Sequence, residues 1–175
     1  MVKQVTSLVV ECPACRKETM QVSEYIYNAP LIGDLLLSIS RCSSCGYTHR
    51  DVKLLESRPP RRIKYRVETP DDLRTLVVKS SSSSIIIPEV GLSMEPGPAS
   101  YGFITTIEGI IDRFFEVLEA VCTNLSNKES CEEAHRQLNE VKEVKKPYTI
   151  IIVDPDGTSY IASDKAVIEP INKPE

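Results

Sequence analysis

CSSCGYTH at residues 42–49, read together with CPAC at residues 12–15, gives the spacing C-x2-C-x26-C-x2-C. Two thiolates two residues apart can reach one ion from a single tight turn. Four of them close a tetrahedral shell around Zn2+. Cys12, Cys15, Cys42 and Cys45 are therefore expected to hold one structural zinc, although four thiolates would also accept iron. A catalytic zinc keeps an open position, and four cysteines leave none. Gly46 follows the second pair and can take positive φ, which a turn of this kind favours. Arg16 stands at the equivalent place in the first turn, where a side chain is mildly strained. His49 lies beyond the turn and is expected to be a bystander. A redox role for the pairs would need a thioredoxin-like βαβ pattern, which neither has.

The alternating stretches TMQVSEYIY and LLLSISRC flank these turns and read as strands, so residues 1–56 are expected to form a zinc ribbon. Ser57-Arg58-Pro59-Pro60 then reads as an extended connector. Residues 57–175 are expected to form a β-rich domain. IKYRVE alternates like a strand, and Thr69-Pro70-Asp71-Asp72 reads as the start of a short helix. Five consecutive serines at 80–84 suggest a linker, but the strand-like LVVK and IIIPE on either side favour an edge strand or turn within one domain.

GFITTIEGIIDRFFEVLEAVC is the clearest helix. Thr105 and Glu108 have capping-box spacing, and Ile107, Ile110, Ile111, Phe114, Leu118 and Val121 mark one apolar face. Gly109 inside it implies that another group passes close by. A second, highly charged helix over 128–144 completes a helical hairpin at about 105–144, joined by a short connection at 123–127. Cys122 and Cys131 beside that connection are expected to be free thiols, and His135 to be solvated. YTIIIV, DPDG and TSYIA read as a β-hairpin. Strands around a helical insertion make an antiparallel sandwich or barrel, rather than a parallel sheet, the expected architecture, in a mainly β, α+β chain.

The 175 residues are 41% hydrophobic with no Trp, so the core rests on Ile, Val and Leu. A net charge of −4 argues against a chain-wide nucleic-acid or membrane surface. No stretch approaches the roughly 18–20 apolar residues of a membrane span. The N-terminus lacks the apolar segment of a secretory signal, so a cytoplasmic location is expected. RPPRRIKYR at 58–66 carries five basic residues around Tyr65. It supports an alternative reading as a zinc-ribbon nucleic-acid-binding protein. Two histidines, no nucleophile motif and no glycine-rich phosphate loop argue against an enzyme, including a cupin-like one.

CPAC at 12–15, CSSCGY at 42–47, RVETPDDLRTLVVKS at 66–80, IPEVGL at 87–92, GFITTIEGII at 102–111 and VDPDGTSYI at 153–161 together resemble the ZPR zinc-finger protein family. The resemblance is to a single-module archaeal-type member, where eukaryotic members carry two modules. It implies a zinc ribbon followed by a jelly roll (double-stranded β-helix) with an inserted helical hairpin. It also implies binding of translation elongation factor 1-alpha, a GTPase, and assistance of its folding as a dedicated chaperone. Thr105, Thr106, Glu108 and Gly109 match the family signature at the hairpin entrance. Asp154, Pro155 and Ser159 match a family turn that usually reads nearer DDP-x-GNS, with Val153 and Thr158 departing from it. Thr105, Thr106, Glu108, Asp154 and Ser159 are the expected partner-binding residues, at the exposed helix entrance and DPDG turn.

Overall fold

The computed structural model describes residues 2–30, 32–56, 58–123 and 128–171. Ser57 of the expected connector and residues 124–127 of the expected helix connection lie outside them. The first four strands are β1 (Val2–Val10), β2 (Met20–Ala29), β3 (Gly33–Cys42) and β4 (Thr48–Leu54). They form an antiparallel meander in sequence order. β2 and β3 were legible from alternation. β1 and β4 were not, because β1 is exposed along most of its length and alternates only weakly.

Eight strands follow: β5 (Arg61–Val67), β6 (Leu76–Lys79), β7 (Ser84–Ile87), β8 (Leu92–Met94), β9 (Phe103–Thr106), β10 (Tyr148–Asp154), β11 (Tyr160–Ile161) and β12 (Val167–Pro170). They form a five-stranded sheet in the order β12-β5-β10-β7-β8 and a three-stranded sheet in the order β11-β6-β9. The main core lies among these strands and two helices, α1 (Ile107–Cys122) and α2 (Lys128–Lys142). It is built from Ile63, Tyr65, Val77, Ile85, Ile110, Ile111, Ile150 and Ile152 among others. Neighbouring residues on β6 face opposite ways, as pleating requires. Val77 enters this core, while Val78 joins Ala29, Ile32, Leu35 and Leu54 in a second cluster that seats the first sheet. The expected β-rich sandwich with a helical insertion is the observed fold.

Five local expectations need correction. β10 and β11 are not a hairpin: β10 pairs with β5 and β7, whereas β11 pairs with β6 in the other sheet. The intervening turn crosses between sheets. Secondly, Thr106, not Thr105, caps α1, accepting a hydrogen bond from the Gly109 N–H at 3.2 Å. Thr105 is still in β9, opposite Val77. The strand runs straight into the helix, which displaces the cap by one residue. Thirdly, the apolar face of α1 stops short of Val121, which is exposed. Fourthly, Cys122 and Cys131 form a disulfide with their Cα atoms 5.9 Å apart. The hairpin brings the end of α1 within bridging reach of the first turns of α2. Finally, His135 is half-buried rather than solvated, its ring tilted against Phe115.

The serine run is a turn inside the domain, with Ser80, Ser83 and Ser84 buried. The short helix is a 3-10 turn over Pro70–Arg74. Its Asp72 carboxylate accepts from the N–H groups of Glu68 and Thr69, each at 3.0 Å, and from the Tyr65 hydroxyl at 2.9 Å. Burial alone would raise the Asp72 pKa. The Lys165 ammonium at 2.9 Å and these donors outweigh it and hold the carboxyl well below the usual range. A depressed folded value means that Asp72 stabilises the fold above the unfolded value of about 3.9. That stabilisation is lost as pH falls through the folded value. Melting temperature measured against pH should therefore drop steeply below about pH 4. Asp72→Asn should start lower at neutral pH and lose less on acidification. Parallel curves for the two proteins would refute this role.

Candidate metal centre

The first cysteine pair sits in the turn between β1 and β2, the second in the turn between β3 and β4. Both turns close in the same way. Arg16 N–H donates to Cys12 O at 2.8 Å, and Gly46 N–H to Cys42 O at 3.1 Å. Cys12 N–H reaches Lys17 O and Cys42 N–H reaches Tyr47 O, each at 2.8 Å. Gly46 has φ 76° and Arg16 φ 61°, so the left-handed position expected in both turns is present, occupied once by a side chain that it does not favour. A hydrogen bond from Ser43 N–H to Thr19 O at 3.0 Å ties one turn to the other.

The four sulfurs all lie within 4.8 Å of one another. Cys12 to Cys45 and Cys15 to Cys42 are each 3.7 Å apart. A tetrahedron with Zn–S bonds of about 2.3 Å has edges of about 3.8 Å. The cluster therefore has the size as well as the donor set for zinc. His49 is on β4 opposite Ser40 and outside the cluster.

The electrostatics of the thiols point the same way. The Thr19 hydroxyl, 3.2 Å from Cys42 Sγ, together with nearby backbone N–H groups, brings that thiol down to about 6 against the effect of desolvation. At Cys45 the Tyr47 N–H pulls downward, but desolvation and the sulfurs of Cys42, Cys15 and Cys12 push the thiol up to about 12. Four sulfurs this close cannot all shed their protons unless a cation shares the charge. Metal binding is thus an exchange of protons for zinc.

The other expected site residues are not brought together. Thr105 and Thr106 are half-buried at the start of α1, and Glu108 is exposed one residue inside it. Asp154 and Ser159 are 0% exposed, which corrects their expected place on the surface. Asp154 accepts from the Ser80 hydroxyl at 3.0 Å and from the Ser159 N–H at 2.5 Å, and is structural. The link from Asp154 to the distant serine run had no signal in the sequence beyond the two motifs themselves.

Gly109 has a definite reason. A Cβ there would lie 2.0 Å from Thr105 Oγ1. Gly109→Ala should therefore destabilise the protein by about 1–3 kcal/mol through overpacking, despite a helix-propensity gain of about 1 kcal/mol. In chemical denaturation the Thr105→Ala/Gly109→Ala double variant should recover most of that loss. An additive double variant would show that the clash is not the cause.

The basic stretch 58–66 is largely engaged. Arg61 is buried, Lys64 pairs with Glu169 at 2.7 Å, Arg66 with Glu89 at 3.0 Å, and Arg58 with Glu56. Among the described residues no helix is long and apolar enough to cross a membrane.

Residues 71–172 match the family model described as the ZPR1 jelly-roll domain. An uncharacterized ZPR1-like protein of Pyrococcus horikoshii is 38% identical over 94% of this chain and 77% of its own length. One of Methanocaldococcus jannaschii is 31% identical over 95% of this chain and 86% of its own. The zinc finger chaperone zpr1 of Schizosaccharomyces pombe is 30% identical over 91% of this chain, which spans 35% of that longer protein.

Proposed function

The chain belongs to the ZPR1 family, and from that premise we propose that it is a cytoplasmic chaperone for translation elongation factor 1-alpha. In this reading it is not an enzyme. One zinc on Cys12, Cys15, Cys42 and Cys45 shapes the end of the first sheet, residues 1–56 and 57–175 act as two modules, and the surface between them meets the partner.

The observation that carries the proposal is the closed four-thiol cluster in a chain whose fission-yeast relative bears the name of a zinc finger chaperone. Four sulfurs leave a metal no position for substrate or water, which supports a structural rather than a catalytic role. The partner follows from the family resemblance carried by the TTIEG and DPDG motifs. Nucleic acid is a weaker reading, since the basic stretch that motivated it is neutralised by Glu56, Glu89 and Glu169. Backbone-tracking grooves need unpaired cations.

The direct test is capture with the zinc-loaded protein from native lysate of its host. Elongation factor 1-alpha should be enriched well above a Cys42→Ser control. No enrichment in any nucleotide state would count against the partner. An RNA or DNA mobility shift that weakens steeply with salt would favour the nucleic-acid reading instead.

A further inference from the structure

Lys79 ends β6 and is only 4% exposed, yet it has no carboxylate partner among the described residues. Its ammonium donates to the Ser80 carbonyl at 2.8 Å and sits 5.9 Å from the centre of the Phe103 ring. Arg113, from α1, stacks on the same ring at 3.8 Å and reaches the Tyr101 hydroxyl at 3.4 Å. It too forms no ion pair among the described residues. Two cations therefore share one aromatic ring. Burial lowers the Lys79 pKa and the Arg113 charge adds to that shift, while Asp154, Asp51 and Glu95 oppose it without any of them pairing with the ammonium. An anion placed between the two cations would relieve both the burial and the repulsion.

The space for it exists. Lys79 and Arg113 lie along a groove of about 370 Å³ walled by Met94, Pro96, Pro98, Tyr101, Phe103 and Val117. Pro98, Ala99 and Tyr101 also line a neighbouring cleft beside the zinc turn, together with Pro13 and Tyr47. Glu95 and Glu116 stand exposed on the groove's rim. A polyanion would meet these two carboxylates along its length, so nucleic acid fits poorly. A single acid on an otherwise apolar strand of chain meets apolar walls and reaches the cations.

We propose that this groove receives an extended, mostly apolar segment of a protein partner, with one acidic side chain seated at Lys79 and Arg113. This deepens the protein-binding reading above and rests on it for the nature of the occupant. The segment would run towards the zinc turn, so the metal would fix one wall of its path.

The probe is a capped pentapeptide, Ac-Leu-Phe-Glu-Leu-Pro-amide, titrated into the zinc-loaded full chain and followed by amide and lysine side-chain NMR shifts. Shifts should cluster at Lys79, residues 97–103 and Arg113. The same peptide with Gln for Glu should bind at least about tenfold more weakly, as loss of a charge-assisted contact implies. Lys79→Met and Arg113→Gln should each remove most of that difference. Arg113 is half-exposed, so its variant keeps the test valid if Lys79→Met does not fold. Equal binding of the two peptides, shifts elsewhere, or no shifts would overturn the proposal. Repeating capture of elongation factor 1-alpha with both variants separates the two readings. Capture unchanged by either variant removes the groove and leaves the chaperone. Peptide binding without capture by wild type removes that partner and leaves the groove.

Discussion

Replacing Cys42 with serine, or stripping the metal with a chelator, is expected to unfold the sheet of β1–β4 and leave the jelly roll folded. The asymmetry follows from where apolar surface is buried. The first sheet contributes the buried Ala29, Ile32, Leu35 and Leu54 to its cluster, with Tyr27, Leu37 and Val52 packed partly buried against them, and the buried four lie at the end far from the cysteines in sequence register. Towards the metal the strands expose Leu8, Val9 and Ile39. Apart from Cys12 and Cys42 themselves, apolar side chains there, such as Val10, Met20 and Val22, are at most half-buried and offset little of the ordering of the chain, which costs about 1–2 kcal/mol per residue. Structural zinc supplies about 10–16 kcal/mol in small modules of this kind, so the metal is the largest single contribution to the sheet. The jelly roll keeps its own core, from Ile63 to Ile161. Zinc content should fall from about one per chain to near zero in the variant. Amide exchange should quicken through β2 and β3 while β5 and β10 stay protected. His49→Ala should keep its zinc. Because protons compete for the same sulfurs, zinc should also be released on acidification. Retained protection of β2 and β3 in metal-free protein would show that packing alone holds the sheet.

What could be read in the sequence was what depends on near neighbours. The two CxxC turns, the alternation of β2 and β3 and the 3–4 spacing of Ile107, Ile110, Ile111 and Phe114 are local patterns with local causes. The DPDG turn misled for the complementary reason. Asp154 to Ser159 looks like a hairpin because two β-rich runs flank a turn. Which sheet each run joins is settled by partners far away, β5 and β7 for one and β6 for the other. Burial of Asp154 is likewise partly non-local: beside the N–H groups of Asp156 and Ser159 in its own turn, its third donor is Ser80, 74 residues earlier in the chain. The serine run read as an edge strand or turn rather than a linker, but nothing in it signalled burial. In the structure the Ser80 hydroxyl donates to the buried Asp154 carboxylate, and the Ser80 N–H to Ser159 Oγ beside it. Arg61 repeats the lesson, since a basic stretch suggested a surface charge and the residue is buried with its guanidinium on the Ser159 carbonyl.

Asp154→Ala should lower stability by about 3–5 kcal/mol, the usual cost of leaving buried charge uncompensated. The carboxylate is fully buried and accepts from Ser80 Oγ at 3.0 Å, Asp156 N–H at 3.1 Å and Ser159 N–H at 2.5 Å. Ser159 Oγ in turn accepts from Ser80 N–H at 3.0 Å. These bonds fasten the end of β10 to the start of β11 and to the turn between β6 and β7, and so join the two sheets of the sandwich. Alanine leaves those donors without an acceptor. It also removes the negative charge that faces the buried cations Arg61 and Lys79. For a domain of this size each kcal/mol is worth roughly 2–4 °C, so the melting temperature should fall by about 6–20 °C. Asp154→Asn keeps the shape and an acceptor but not the charge, and should fall between. Ser159→Ala should cost less, about 1–2 kcal/mol, because it removes one neutral bond. A calorimetric loss below about 1 kcal/mol for Asp154→Ala would contradict the structural role. Capture measurements complete the separation: folded Asp154→Asn should bind its partner as wild type does. If its binding is lost while its fold is intact, Asp154 reaches the partner, and the turn must open to do so.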